Sequence, residues 1–332
     1  MPLVKARTIY ERARMGGYAV GGFDAEHLDM VKAIVEAAEE ARSPVIVFLW
    51  EKEIESAGPG YLESLIKKAA DEVSVPVAIF LDHGMSLKAC LTAVLNGHSG
   101  VMIDYSHLPF EENVSKTKEV VDICHLVDVM VEAELGTVPR TFESDETQYM
   151  QEKQLTDPDQ AIDFIAKTGV DALTISIGEE SGATSNIKLE FDLLREIRQK
   201  TDTLLIMHGG SGTPPDQVTQ LARDGINGIR FATELRIAFF DEMERMRSEL
   251  GRDFPDSRKI LKPAREAVKR IVKERMQQMG SWGKACTDGL CPPIFSQALD
   301  ISIQNDCNCE KSEVDKIVNL VQQMLMSKNV ER

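Results

Sequence analysis

The sequence predicts an α/β protein folded as a TIM (β/α)8 barrel with a C-terminal extension. Two observations carry this expectation. Eight short β-rich runs alternate with amphipathic helical stretches over residues 1–250. Most of the runs are continuously apolar rather than alternating, as parallel strands buried on both faces are. Repetition of one strand–helix unit favours a closed barrel over an open doubly wound sheet. The chain, with 332 residues of which 43% are hydrophobic, is long enough for one large core of this kind.

In chain order, the runs cover residues 18–23, 44–50, 76–82, 100–104, 128–134, 172–178, 203–208 and 227–232. The segments between them read as helices. Over Leu28–Ala41, the apolar residues Met30, Ile34, Val35 and Ala38 recur at helical spacing. Residues 112–126 and 157–168 repeat the pattern, and Thr156, Asp157 and Pro158 supply a start signal for the second. After the fifth run, residues 137–155 form a polar insertion, which is either a lid over the mouth or a solvated loop. Residues 258–279 alternate basic and apolar positions at helical spacing, expected to pack on the barrel or on a neighbouring subunit. The expected division is a barrel over residues 1–285 and a cysteine-containing extension over residues 286–332. Cys286, Cys291, Cys307 and Cys309 fall in that extension, at spacings unlike the common C-x2-C metal pairs. Cys90 and Cys124 lie in apolar helical contexts and are expected to be packed.

The formal net charge is -16, which argues against nucleic acid as a partner. No run approaches the about 20 apolar residues of a membrane span. Arg7, Arg12 and Arg14 interrupt the N-terminal stretch, which therefore does not read as an export signal, and a cytoplasmic location is expected.

In a barrel of this class the active site lies at the C-terminal ends of the strands. Acids, histidines and glycines gather there. Leu81-Asp82-His83-Gly84 sets an acid beside an imidazole, and His208-Gly209-Gly210-Ser211-Gly212 sets a second imidazole before a glycine turn. Two histidines joined by an oxygen ligand are able to hold a divalent metal. Glu132 and Glu134 differ by two positions, so both point to the same side of their strand. Backbone N–H groups of the 209–212 turn are placed to converge on a phosphate. A metal beside a phosphate cradle suits chemistry on a phosphorylated carbonyl compound, with the metal as Lewis acid and a carboxylate moving the proton. None of the eight strand ends carries a lysine, which sets a Schiff-base mechanism aside.

These residues, together with Gly17-Tyr18-Ala19-Val20-Gly21, the run Val101-Met102-Ile103-Asp104-Tyr105-Ser106-His107, residues 131–136 and 168–173, and Thr233-Glu234-Leu235-Arg236, resemble the class II fructose-bisphosphate and tagatose-bisphosphate aldolases. The resemblance runs from about residue 3 to residue 285. It implies metal-dependent, reversible cleavage of a phosphorylated ketose to dihydroxyacetone phosphate and an aldehyde. Zinc is the implied metal, with manganese or cobalt as alternatives. By position it implies Asp82 as the proton-transferring acid, His83 and His208 as metal ligands, and Asp104 and Glu134 at an alternate metal position. It implies a phosphate held by Gly182, Gly209, Gly210, Ser211 and Thr233, and a homodimer or homotetramer.

Four positions depart from the family pattern. Ser181 stands where a metal-binding His is usual, Arg230 where an Asn contacts dihydroxyacetone phosphate, Asp24 where another Asn is usual, and Trp50 where a small hydroxyl residue is usual. Three readings follow: an aldolase with a retuned substrate, an epimerase or isomerase using the same enediolate chemistry, and a silent ligand-binding homologue. In the first, Glu134, Glu179 or Glu180 is a candidate third metal ligand, and Arg230 pairs with an anionic group of the substrate by a forked contact.

Overall fold

The computed structural model describes residues 3–138, 154–182, 187–251 and 253–285. Eight strands alternate with helices in the order α1(Ala6–Gly16), β1(Val20–Asp24), α2(Leu28–Ala41), β2(Val45–Trp50), α3(Glu51–Ala57), α4(Tyr61–Asp71), β3(Val77–Gly84), α5(Leu87–Leu95), β4(Gly100–Ile103), α6(Phe110–His125), β5(Met130–Leu135), α7(Pro158–Thr168), β6(Ala172–Ile175), α8(Phe191–Lys200), β7(Leu204–Met207), α9(Pro215–Arg223), β8(Gly228–Phe231), α10(Thr233–Leu250) and α11(Arg258–Gln278). Each strand pairs in parallel with the next, and β8 closes on β1. The expected TIM barrel is therefore the observed fold. The expected strands differ by a few residues at their ends, where hydrogen bonding rather than hydropathy sets the limit. Most of the expected insertion and all of the expected cysteine-containing extension lie outside the described residues.

Inward-facing side chains fill the barrel in layers. Ile46, Phe48, Ala78, Phe80, Met102, Met130 and Ile206 are buried in one cluster inside it. The outward faces of the strands pack on the helices in a second cluster that includes Val47, Val101, Val131 and Leu205. This double burial is why the strands are apolar throughout. Gly22 serves the interior: a Cβ there would lie 2.2 Å from Phe48 Cε2, so the bare backbone makes room for the ring. Above the apolar layers the interior turns polar, with Glu132 and Thr174 fully buried and Arg230 nearly so.

Helix α1 closes the opposite end of the barrel. Ile9, Tyr10 and Ala13 face inward from it, and the Tyr10 ring meets Phe80 edge-on at 6.4 Å. At the C-terminal end of the described chain, α11 packs on the barrel through Ala264, Val268, Val272 and Met276. Its basic positions reach α2, with Lys269 2.7 Å and Lys273 2.9 Å from Glu40. Thr156, expected to help start α7, has another task. Its hydroxyl donates to Leu135 O and accepts from Ser176 N, tying β5 to the end of β6. Asp157 alone caps the helix, accepting from Asp159 N at 3.0 Å and Gln160 N at 2.9 Å. Cys90 and Cys124 are free and buried, as expected, and burial pushes the Cys124 thiol up to about 12. No helix among the described residues is long and apolar enough to cross a membrane.

Candidate active site

At the C-terminal mouth of the barrel one cavity is shared by Asp24, Trp50, Asp82, His83, Ser181, Gly182, His208, Gly209, Ser211, Arg230, Thr233 and Arg236. Neighbours on a strand normally face opposite ways, yet Asp82 and His83 both line this cavity. The local backbone accounts for it. The pairing of β3 with β4 shifts register between Leu81 and Gly84, and His83 has φ 40, a left-handed value unusual for a residue with a side chain. A strained position of this kind costs about 1–3 kcal/mol and is characteristic of working sites.

The two imidazoles are oriented by carboxylates. His83 Nδ1 lies 2.8 Å from Asp104 Oδ2, and His208 Nε2 lies 3.3 Å from Glu132 Oε1. The remaining nitrogens, His83 Nε2 and His208 Nδ1, face each other at 2.8 Å. A ring with one nitrogen on a carboxylate and the other turned to a shared point is the arrangement of metal-binding histidines. Ligand atoms of Asp82, His83 and His208 lie within 4.8 Å of one another, as do those of His83, Asp104 and Glu134. This donor chemistry fits a divalent cation. Of the carboxylates considered as third ligand, Glu134 groups with His83 and Asp104, whereas Asp82 is the one grouped with both histidines. Glu179 is wholly buried, and its carboxylate accepts from Ile177 N at 2.8 Å, anchoring the turn after β6.

Arg230 enters the barrel from β8 and lies under the mouth. Its guanidinium donates to Asp82 Oδ1, stands 2.6 Å from Glu132 Oε2, and covers the Phe48 ring at 3.9 Å from its centroid. Loss of water raises Glu132 to about 8, against the hydrogen bond from Thr174, and lowers Arg230 to about 9, against the pull of Tyr10 and Asp24. The sequence alone leaves Arg230 available to an anionic substrate. Here its fork is taken up by two carboxylates of the chain itself.

Gly182 and Gly209 have φ 124 and φ 63, conformations that glycine adopts without penalty. Ser211 Oγ accepts from Ala232 N at 3.3 Å and Glu234 N at 3.2 Å, bracing the first turn of α10. Thr233 begins that helix, so its positive end faces the cavity beside Gly182 and Gly209. Gly210 corrects an expectation. Its N–H donates to Arg230 O at 2.9 Å, and a Cβ there would lie 2.6 Å from the same oxygen. It seats the turn on β8 and does not offer its N–H to a phosphate.

The model of the family described as fructose-bisphosphate aldolase class-II matches residues 4–284. The chain belongs to this family. This aldolase is 38% identical over 309 residues to the fructose-bisphosphate aldolase of Thermus caldophilus, covering 85% of this chain and all of that one. Its fold matches the crystal structure of the YdjI aldolase from Escherichia coli K12 with a TM-score of 0.75 and 30% identity, over 86% of this chain and all of that chain. It also matches the fructose-bisphosphate aldolase of Campylobacter jejuni with a TM-score of 0.72, over 85% of this chain and 97% of that one; at 19% identity this speaks to fold alone. The aldolase is thus a lyase of a family that works with a divalent metal on phosphorylated sugars.

Around the mouth, the aldolase has charged residues that sequence reasoning left out of the site. Arg236 reaches Asp24 at 3.4 Å and Glu53 at 2.5 Å, and also pairs with Glu26. Burial pushes Asp24 up to about 6, against the pull of Arg236 and Arg230, and pushes Glu53 up to about 8, assisted by the charge of Asp24. The clue to Arg236 was its place one turn into the helix after β8, next to Thr233. Glu26 and Glu53 carried no such clue, since they come from the loop after β1 and from α3.

Proposed function

We propose that this aldolase cleaves a phosphorylated ketose reversibly to dihydroxyacetone phosphate and an aldehyde, with a divalent metal held by His83 and His208. Zinc suits two imidazoles and a carboxylate best, and manganese or cobalt suits them next. The observation that carries this reading is the pair of nitrogens, His83 Nε2 and His208 Nδ1, turned to one point beside Asp82 while carboxylates hold the far side of each ring. When bound, the metal supplies Lewis-acid polarisation of a substrate oxygen. Asp82 moves the proton. Arg230 sets a positive charge beside that carboxylate and fixes its direction. Gly182, Gly209, Ser211 and Thr233 hold the phosphate at the start of α10, and Ser211 retains its own hydroxyl proton to donate to it. Asp104 and Glu134 serve as an alternate oxygen site next to His83. Trp50, Asp24 and Arg230, all departures from the family pattern, retune the substrate.

Solvent-hydrogen exchange into dihydroxyacetone phosphate tests the reading, because it needs no knowledge of the aldehyde. The zinc-loaded full-length protein is expected to catalyse exchange, and Asp82→Asn to slow it by about a hundredfold or more. Absence of exchange with zinc, manganese and cobalt alike would sink the proposal.

A further inference from the structure

We infer that the aldehyde half of this pocket takes an uncharged, hydroxyl-bearing chain, so that the substrate is a ketose carrying one phosphate rather than two. The inference rests on the aldolase reading above and goes on to name its substrate class. Its basis is the charge already committed around the cavity. Phosphate carries a charge near −2, and a second one on the substrate needs its own cations or N–H groups. The phosphate turn, from the loops after β6, β7 and β8, offers hydroxyl and backbone groups for one. Among the described residues lining the cavity, the cationic side chains are Arg230 and Arg236. Arg230 is held between Asp82 and Glu132. Arg236 is held by Asp24, Glu26 and Glu53, three carboxyl groups around one guanidinium.

The side of the mouth formed by the loops after β1 and β2 therefore presents Asp24 and an indole, Trp50, with more acid than base behind them. Lys52 stands near, but its ammonium lies 4.8 Å over the Trp50 ring and outside the cavity lining. Aromatic faces and carboxylates recognise the C–H faces and hydroxyls of a polyol, and they repel an anion.

The full-length, zinc-loaded protein is run in the synthesis direction with dihydroxyacetone phosphate and either D-glyceraldehyde or D-glyceraldehyde 3-phosphate. The unphosphorylated aldehyde is expected to have the equal or higher kcat/KM. A preference of about tenfold or more for the phosphorylated aldehyde overturns the inference, since about 1.4 kcal/mol would then come from a second phosphate site. Hydrogen exchange without aldehyde is measured in parallel. Exchange intact with the phosphorylated aldehyde preferred refutes the single-phosphate inference alone, whereas loss of exchange refutes the aldolase reading beneath it. As a second arm, E26Q removes the carboxylate of Glu26 that pairs with the Arg236 guanidinium. That variant is expected to shift the kcat/KM ratio about tenfold towards the phosphorylated aldehyde, and an unchanged ratio overturns the inference as well.

Discussion

Replacing Arg230 by methionine tests how the floor of the site is held. Methionine is long and apolar enough to keep the packing on Phe48 and Phe80, so the change removes charge more than volume. The side chains of Arg230, Asp82 and Glu132 are 5%, 11% and 0% exposed, so water does not replace the lost partner. Removing one member of a buried pair costs about 3–5 kcal/mol, because the carboxylates are left without a counter-charge. Loss of the guanidinium–ring contact at 3.9 Å adds about 2 kcal/mol, and sulfur–aromatic contacts return about 1 kcal/mol. The net expectation is about 4–6 kcal/mol. At about 2–4 °C per kcal/mol for a large domain, the unfolding midpoint falls by about 10 °C or more. Thermal unfolding followed by circular dichroism at neutral pH reads this directly. Asp82→Asn in the Arg230→Met background is expected to recover about 2 kcal/mol, since it removes the carboxylate left without its partner. A fall of less than about 2 °C in the single variant, or no recovery in the double one, would show that Arg230 is not the counter-charge of this layer.

Two further outcomes follow from the same geometry. Asp104→Asn takes the charge from the group holding His83 Nδ1 at 2.8 Å, and zinc affinity measured by competition with a chelating dye is expected to fall about tenfold to a hundredfold; unchanged affinity would mean that Asp104 does not orient the ring. Glu53 is raised by burial to about 8, above its unfolded value, so its contribution to stability is full below about pH 4.5 and is lost as pH rises towards 8. Glu53→Gln is therefore expected to flatten the decline of the urea midpoint across that window, and curves that stay parallel to the wild type would contradict the buried, protonated state.

Arg230 and Gly210 show where reading along the chain stopped. Both sit in segments whose motifs are plain, and the sequence alone points both at a ligand. A strand position tells which side a residue faces, but not what meets it there. Arg230 meets Asp82 and Glu132, which lie 148 and about 100 residues away along the chain, and Gly210 meets the Arg230 carbonyl. Asp82 and His83 illustrate the converse. Their identities and their strand end were legible, but the register shift that brings both to the mouth depends on how β3 pairs with β4.

What the chain determined by itself was the barrel and the chemical inventory of its mouth. Continuous apolar runs of strand length demand burial on both faces, and eight of them at helix-length intervals leave the closed parallel barrel as the economical solution. Residue type then limits the chemistry, because imidazole, carboxylate and a glycine turn each admit few roles. Tertiary structure alone decided which groups are available to a ligand. Charges are neutralised across space, not along sequence. The pairing of Arg230 with Asp82 and Glu132, and of Arg236 with Asp24, Glu26 and Glu53, was settled only when β1, β2, β3, β5 and β8 closed on one another.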